Sequence, residues 1–197
     1  METNPTRIRM RGPERREFIL EAAERIFARL GYRVAGMADI AAAAGITQPM
    51  LYRHFSSKKE LFLAVLDRCT LRILEAWRSA PTLPSMGDAY MELAMARPDV
   101  VRLRMQALAE CEDAEIRQRV QTMWRDELQL IQEVAAREVA GGRIAPGVSA
   151  ESVTWAFTAL GMLIDVGTAL DLQELHQGVA AAGELFLRGC WSPAESS

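Results

Sequence analysis

Residues 37–55 read Met37-Ala-Asp-Ile-Ala-Ala-Ala-Ala-Gly-Ile-Thr-Gln-Pro-Met-Leu-Tyr-Arg-His-Phe55. The spacing predicts two short helices, one from Met37 to about Ala44 and one from Gln48 to about His54. Gly45 between them supplies a turn conformation that a side chain would resist. Ala41 is small where the two helices must approach closely. Ile40, Ile46, Leu51 and Phe55 turn inward and tie both helices to one core. Thr47 is a suitable N-cap, and Pro49 lies in the first turn, where a missing N–H costs nothing. This is a helix-turn-helix pattern. Its second helix turns Gln48, Met50, Tyr52, Arg53 and His54 largely away from the core.

Working outward, nearly every periodic segment predicts a helix. Ile19, Ala22, Ala23, Ile26, Phe27 and Leu30 follow the i, i+3, i+4 rule, with Glu17, Glu21, Glu24, Arg25 and Arg29 outside that stripe. Pro13 suits the first turn of that helix and Gly31 its end. Ser56 or Ser57 caps a fourth helix, with Glu60 placed to close a capping box with Ser57. That helix carries Leu61, Phe62, Val65, Leu66, Cys69, Ile73 and Trp77, and stops before Pro81 and Pro84. Further helices are expected at about 86–96, 98–110, 113–140, 150–169 and 172–190. No alternating β-branched run competes. The expected fold is all-α with about nine helices. A basic helix-turn-helix domain over residues 1–60 precedes a larger helical domain over 61–197.

The 197 residues carry a net charge of −3, which taken alone speaks against a nucleic-acid partner. The distribution reverses that reading. Residues 1–60 hold 11 basic and 7 acidic side chains, and residues 61–197 hold 12 and 19. The head is therefore at +4 and the remainder at −7. Arg7, Arg9, Arg11, Arg15 and Arg16 crowd the first sixteen residues, and the two lysines, Lys58 and Lys59, are adjacent. A helix of ordinary diameter fits the DNA major groove, where its N-terminal residues meet base edges.

Gly31-Tyr32, Asp39-Ile40-Ala41, Ala44-Gly45-Ile46-Thr47, Leu51-Tyr52-Arg53-His54-Phe55 and Ser57-Lys58-Lys59-Glu60-Leu61 together resemble the TetR family of bacterial transcriptional regulators. The resemblance is dense over roughly residues 15–62 and beyond them is one of length and helical character. It implies that the third helix is the recognition helix. Gln48 can pair with adenine through two hydrogen bonds or make a single bond to another base edge. Pro49 and Met50 offer apolar contact to thymine methyls. Tyr52, His54 and Thr47 fall at phosphate-contact positions, and Arg53 can reach a base or a phosphate. Lys58 corresponds to the family's phosphate-binding lysine, aided by the dipole of its helix. Arg7, Arg9 and Arg11 suit an arm that tracks the backbone or enters the minor groove. Two departures from the pattern stand out. Ala35-Gly36 replaces the Ser or Thr that usually caps helix two, and Ala38 stands where some members place a base-reading side chain.

The acidic remainder carries no catalytic arrangement. It has one histidine, His176, no Glu-x-x-His, no phosphate-cradling glycine loop and no Cys/His ligand spacing. No enzyme activity, metal or cofactor is expected. Glu110, Glu112, Asp113 and Glu115 read as a solvated bend. Large soft side chains are abundant, and Met and Trp line sites that accept varied apolar ligands. The resemblance places such a pocket among helices four to eight. Met105, Leu108, Met123, Trp124, Trp155 and Ala159 are its expected lining, for an apolar or aromatic effector. Val153, Phe157, Leu160, Gly161 and Ile164, with Val179, Ala182, Leu185 and Phe186, make the last two helices apolar beyond a simple surface pair. The resemblance makes these the interface of a two-fold homodimer, with recognition helices about one DNA turn apart, ~34–36 Å. The expected protein is a ligand-responsive homodimeric repressor on a pseudo-palindromic operator. The alternative is a DNA-bound adaptor with no inducer that recruits a protein partner.

Compartment signals agree with the cytoplasm of a bacterium and its nucleoid. Cys69, Cys111 and Cys190 are odd in number and far apart, as reduced thiols are. The N-terminus lacks the apolar segment of a signal peptide. No apolar run is expected to reach the ~18–20 residues of a membrane span.

Overall fold

A computed structural model describes residues 12–190, with side chains from Glu14 to Phe186. Arg7, Arg9 and Arg11 lie outside the described residues. Among those described there are nine α-helices and no strand. They are α1 (Gly12–Leu30), α2 (Met37–Ala43), α3 (Gln48–His54), α4 (Lys58–Arg78), α5 (Leu83–Ala96), α6 (Pro98–Ala109), α7 (Ala114–Ala140), α8 (Ala150–Leu170) and α9 (Gln173–Cys190).

The chain divides into two compact units between Val65 and Leu66, five residues beyond the expected boundary. The reason lies in α4. Its first two turns give Leu61, Phe62 and Val65 to the core, all with no exposed surface. Phe62 meets Phe27 edge-on at 5.2 Å and Tyr32 at 4.5 Å. The rest of that core is Ile19, Ala22, Ala23, Ile40, Leu51 and Phe55. One expectation for α1 fails: Glu24 is buried among these residues rather than turned to water.

Glycine ends both helices that precede the recognition segment. Gly31 has φ +79° and its N–H bonds the Phe27 carbonyl, closing α1. Gly45 has φ +60°, with Ile46 N bonded to Ala41 O at 3.0 Å and Gly45 N to Ala42 O at 3.1 Å. Those two bonds form a Schellman closure, which satisfies carbonyls the helix would otherwise leave open.

The second unit is a bundle of α5–α9 with the remainder of α4. Its helices fall close to the predicted ones, with one clear shift. α5 starts at Leu83, not near 86, because Pro84 occupies its first turn, where no N–H is needed. Thr82 caps it, accepting from Ser85 N while Ser85 Oγ accepts from Thr82 N. Asp113 belongs to a cap rather than a solvated bend: its carboxylate accepts from Glu115 N and Ile116 N at the start of α7.

α8 corrects another expectation. Its 21 residues are long and apolar enough to cross a membrane by length and composition. Within the bundle it packs against α5, α6, α7 and α9. Its polar groups are paired inside: Thr154 with Gln132, Tyr90 with Asp165, and Thr168 with His176 of α9. It touches four other helices of the unit, yet Trp155, Met162, Leu163 and Leu170 remain exposed along it.

Candidate functional site

α3 is held from beneath by Leu51 and Phe55, both essentially fully buried. That anchoring leaves Thr47, Gln48, Pro49, Tyr52 and Arg53 exposed on one side, with Met50 and His54 half-buried at its edges. Thr47 takes the extended N-cap conformation (φ −80°, ψ 149°), but its hydroxyl makes no capping bond. A helix 10–12 Å across with its side chains enters a major groove about 12 Å wide. The seven residues Thr47–Arg53 carry one base and no acid.

The α4 start is built around a reciprocal cap. Ser57 Oγ accepts from Glu60 N at 3.0 Å. The Glu60 carboxylate returns not to Ser57 but to Ser56, accepting from its N–H at 2.7 Å and its hydroxyl at 2.6 Å. The Ser56 side chain and backbone bonds hold the Glu60 carboxyl below its ordinary value, against a small opposing effect of burial, with help from Arg16.

Lys58 is positioned by groups that the sequence reading did not single out. Its Nζ donates to the Arg33 carbonyl at 3.1 Å and lies 4.9 Å from the centre of the Tyr32 ring. Tyr32 is fixed in turn against Phe27 and Phe62. An ammonium has three donors, so one bond to Arg33 leaves two for a phosphate. Arg16 sits over the Phe55 ring at 4.8 Å, at the C-terminal end of α3. The Gly-Tyr pair at 31–32 was the available signal for Tyr32, and the basic cluster of the first sixteen residues included Arg16; nothing local marked Arg33.

Residues 19–65 match the family model described as bacterial regulatory proteins, tetR family. Over that segment the chain is similar to the TetR family. Over 67 residues it is 49% identical to the transcriptional activator FasR of Mycolicibacterium smegmatis, covering 34% of this chain and 31% of that protein. Over 53 residues it is 42% identical to the transcriptional repressor ComR of Escherichia coli K12, covering 27% and 25%. The chain thus spans about a third or less of the lengths of these curated relatives. A TetR regulator from Chloroflexus aurantiacus shares the fold across nearly the whole length: TM-score 0.77 at 23% identity, covering 92% of this chain and 98% of that one.

Both departures from the TetR pattern have a structural counterpart. Gly36 is the N-cap of α2 and offers no side chain; Asp39 reaches back to accept its N–H at 2.9 Å. A Cβ at Gly36 would lie 3.0 Å from that same Asp39 oxygen, so the residue that gives up the cap is also the one that admits the carboxylate. Ala38 is exposed and carries no hydrogen-bonding group.

In the second unit the expected residues separate. Met105, Leu108, Met123 and Trp124 do come together, around a hollow of about 50 Å³. Trp155 and Ala159 do not: both are exposed on the outer side of α8, Trp155 at 58%. The expected dimer residues divide as well. Val153, Ile164 and Val179 are buried within the chain, because α8 and α9 spend those faces on their own neighbours. Phe157, Leu160, Gly161, Ile164, Val179 and Phe186 help line a groove of about 370 Å³ between α5, α8 and α9. Ala182 is half-buried and Leu185 is exposed at 74%.

Sequence reasoning missed the polar centre of this unit. Arg104 of α6 meets Glu127 of α7 through both guanidinium nitrogens, at 2.5 and 2.9 Å. Tyr90 of α5 donates to Asp165 of α8. All four residues are buried, and the Arg104 guanidinium also lies 5.8 Å from the centre of the Trp124 ring. Burial raises the Asp165 carboxyl above its ordinary value, although Arg104 and Tyr90 pull it down.

Proposed function

We propose that this chain is a ligand-responsive DNA-binding transcriptional regulator, a homodimeric repressor that occupies a pseudo-palindromic operator. The observation that carries the reading is the exposed face of α3, with Gln48, Tyr52 and Arg53 standing clear of a helix pinned by Leu51 and Phe55. Gln48 reads a base edge, Pro49 and Met50 meet thymine methyls, and Thr47, Tyr52, His54 and Lys58 hold phosphates. Arg53 serves either surface, and Arg7, Arg9 and Arg11 extend the contact along the backbone or into the minor groove. With DNA as its partner the protein works in the bacterial cytoplasm, on the nucleoid, and regulation rather than catalysis is its activity.

The dimer face is reassigned to the outer stripe of α8. Trp155, Met162, Leu163 and Leu170 are exposed there, with Leu185 on α9. Contiguous exposed apolar surface of this kind marks an interaction site. The effector enters the second unit, where the 370 Å³ groove is of ligand-binding size. That groove is what disfavours the adaptor reading, which needs no space for a small molecule.

The test is selection of random duplex DNA on the purified full chain. The enriched sequences should be inverted repeats with half-site centres about one turn apart, ~34–36 Å. Enrichment of nothing, or of single asymmetric sites, would overturn the dimeric operator-binding reading.

A further inference from the structure

Two hollows and the groove adjoin one another inside the second unit. The hollow of about 50 Å³ shares Arg104, Trp124, Met162 and Asp165 with one of about 20 Å³. The smaller hollow shares Tyr90, Phe157 and Gly161 with the 370 Å³ groove. Gly161 marks the passage between them, since a Cβ built there meets nothing within 4 Å.

The charge along this path is one-sided. Among the described lining residues there are four acids, Asp88, Glu127, Asp165 and Glu184, and one base, Arg104. Arg104 is already engaged by both oxygens of Glu127, so an incoming anion would have to displace a buried carboxylate. Asp165 is left with a phenol as its hydrogen-bond partner and without a cation of its own in direct contact. An excess buried carboxylate is costly, and a ligand cation offsets that cost. Trp77, Tyr90, Trp124 and Phe157 are among the residues lining the inner hollow, and aromatic rings of this kind can attract an organic cation. Trp77, which is 5% exposed and helps line this hollow, also carries a buried indole N–H with no hydrogen-bond partner. That donor asks for an oxygen acceptor on the same ligand.

We propose that the second unit binds an amphipathic organic cation bearing an oxygen acceptor, its charged head drawn to Asp165 and its apolar body lying in the α5–α8–α9 groove. The inference rests on reading this unit as the effector-binding one and names the chemical class of that effector. Gly161 is the gap through which the head passes, and Phe157 is the ring it passes.

Three probes of one shape test the charge. Choline phenyl ether carries the cation, 3,3-dimethylbutyl phenyl ether replaces the nitrogen by carbon, and 4-phenoxybutyrate carries an anion. Binding to the full chain is followed by equilibrium dialysis. Choline phenyl ether should bind about tenfold tighter than the neutral ether, with the carboxylate weakest. Asp165→Asn keeps the side-chain volume and an oxygen for Tyr90; it should remove the preference for the cation while leaving the neutral ether unchanged. Gly161→Val, at an open position, should weaken both by closing the passage. Preference for the neutral or anionic probe, or a cation preference that survives Asp165→Asn, overturns the cation while leaving a ligand-binding unit in place. Absence of binding by all three probes overturns the inference and counts against ligand response itself.

Discussion

Arg104 and Glu127 face each other across α6 and α7 in a two-pronged pair whose side chains are 8% and 4% exposed. Burial works against the guanidinium charge, but the Glu127 carboxylate outweighs it, with Tyr90 and Asp165, and keeps Arg104 firmly protonated. Removing one partner strands the other. Glu127→Ala should therefore cost about 3–5 kcal/mol, whereas the double replacement Arg104→Met, Glu127→Leu should recover most of that loss. Urea unfolding of the two variants and wild type gives the comparison. A double variant as unstable as the single one would mean that packing, not charge, sets the cost.

Gln48 is exposed at the start of α3 and Leu51 is fully buried beneath it, so their truncations should separate recognition from stability. Gln48→Ala removes an exposed side chain and should leave unfolding within ±0.5 kcal/mol of wild type. Specific DNA binding should fall by about 1–3 kcal/mol, with discrimination relaxed at one base pair. Leu51→Ala empties a fully buried position and should destabilise by about 2–5 kcal/mol. A competition binding assay beside thermal unfolding reads both. If Gln48→Ala footprints like wild type, another residue reads that base.

Lys58→Met keeps the apolar stem against Tyr32 and removes the charge. The Arg33 carbonyl it leaves is at the surface, where water replaces the bond. The variant should weaken all DNA sequences alike and lower the slope of log K against log salt by about 1. Equal affinity at low salt with an unchanged slope would remove Lys58 from the phosphate contacts.

The helix-turn-helix was legible because each of its parts is a local rule. Gly45 ends α2 at positive φ, Leu51 and Phe55 repeat at helical spacing, and Pro49 tolerates only a first turn. The centre of the second unit was not legible, for the converse reason. Periodicity identifies buried positions by their apolarity, and so gives no sign of a buried Asp165 or Glu127. Their partners lie 75 and 23 residues away on other helices, beyond any single-helix pattern. Trp155 failed in the opposite sense: a large ring on an apolar helix reads as interior, yet α8 turns it outward. Glu24 failed as Asp165 did, a carboxylate on a stripe where periodicity expects carbon.

Two carboxyls should bend the pH dependence of stability in opposite directions. Glu60 is held below its ordinary value of 4.5 by the Ser56 bonds, so its contribution is present above 4.5 and is lost as pH falls through the folded-state value. Asp165 is held above its ordinary value of 3.8, chiefly by burial. Between 3.8 and that raised value the folded chain binds more protons than the unfolded one, so stability falls as pH rises through the window. Unfolding measured from pH 3 upward should show Glu60→Gln with less acid loss than wild type. Asp165→Asn should be more stable than wild type above the window, and the difference should shrink toward its acid end. Parallel curves for Asp165→Asn and wild type would mean that Asp165 keeps one protonation state throughout.

Trp155 is the residue on which the dimer assignment turns. It stands 58% exposed on the outer side of α8, whereas Val153 two positions earlier is completely buried. A charge at position 155 therefore meets water in the monomer and desolvated apolar surface in a two-fold pair, where an isologous interface would bring two copies of it together. Trp155→Glu should leave monomer unfolding nearly unchanged and shift the sedimentation equilibrium to monomer at micromolar concentration. Affinity for an inverted-repeat site should fall toward that for a single half-site. Val153→Ala should do the reverse, losing stability by the cost of a core truncation while the association constant holds. Should Trp155→Glu remain dimeric and Val153→Ala dissociate, the interface runs through the other side of α8 and the outward stripe serves a different partner.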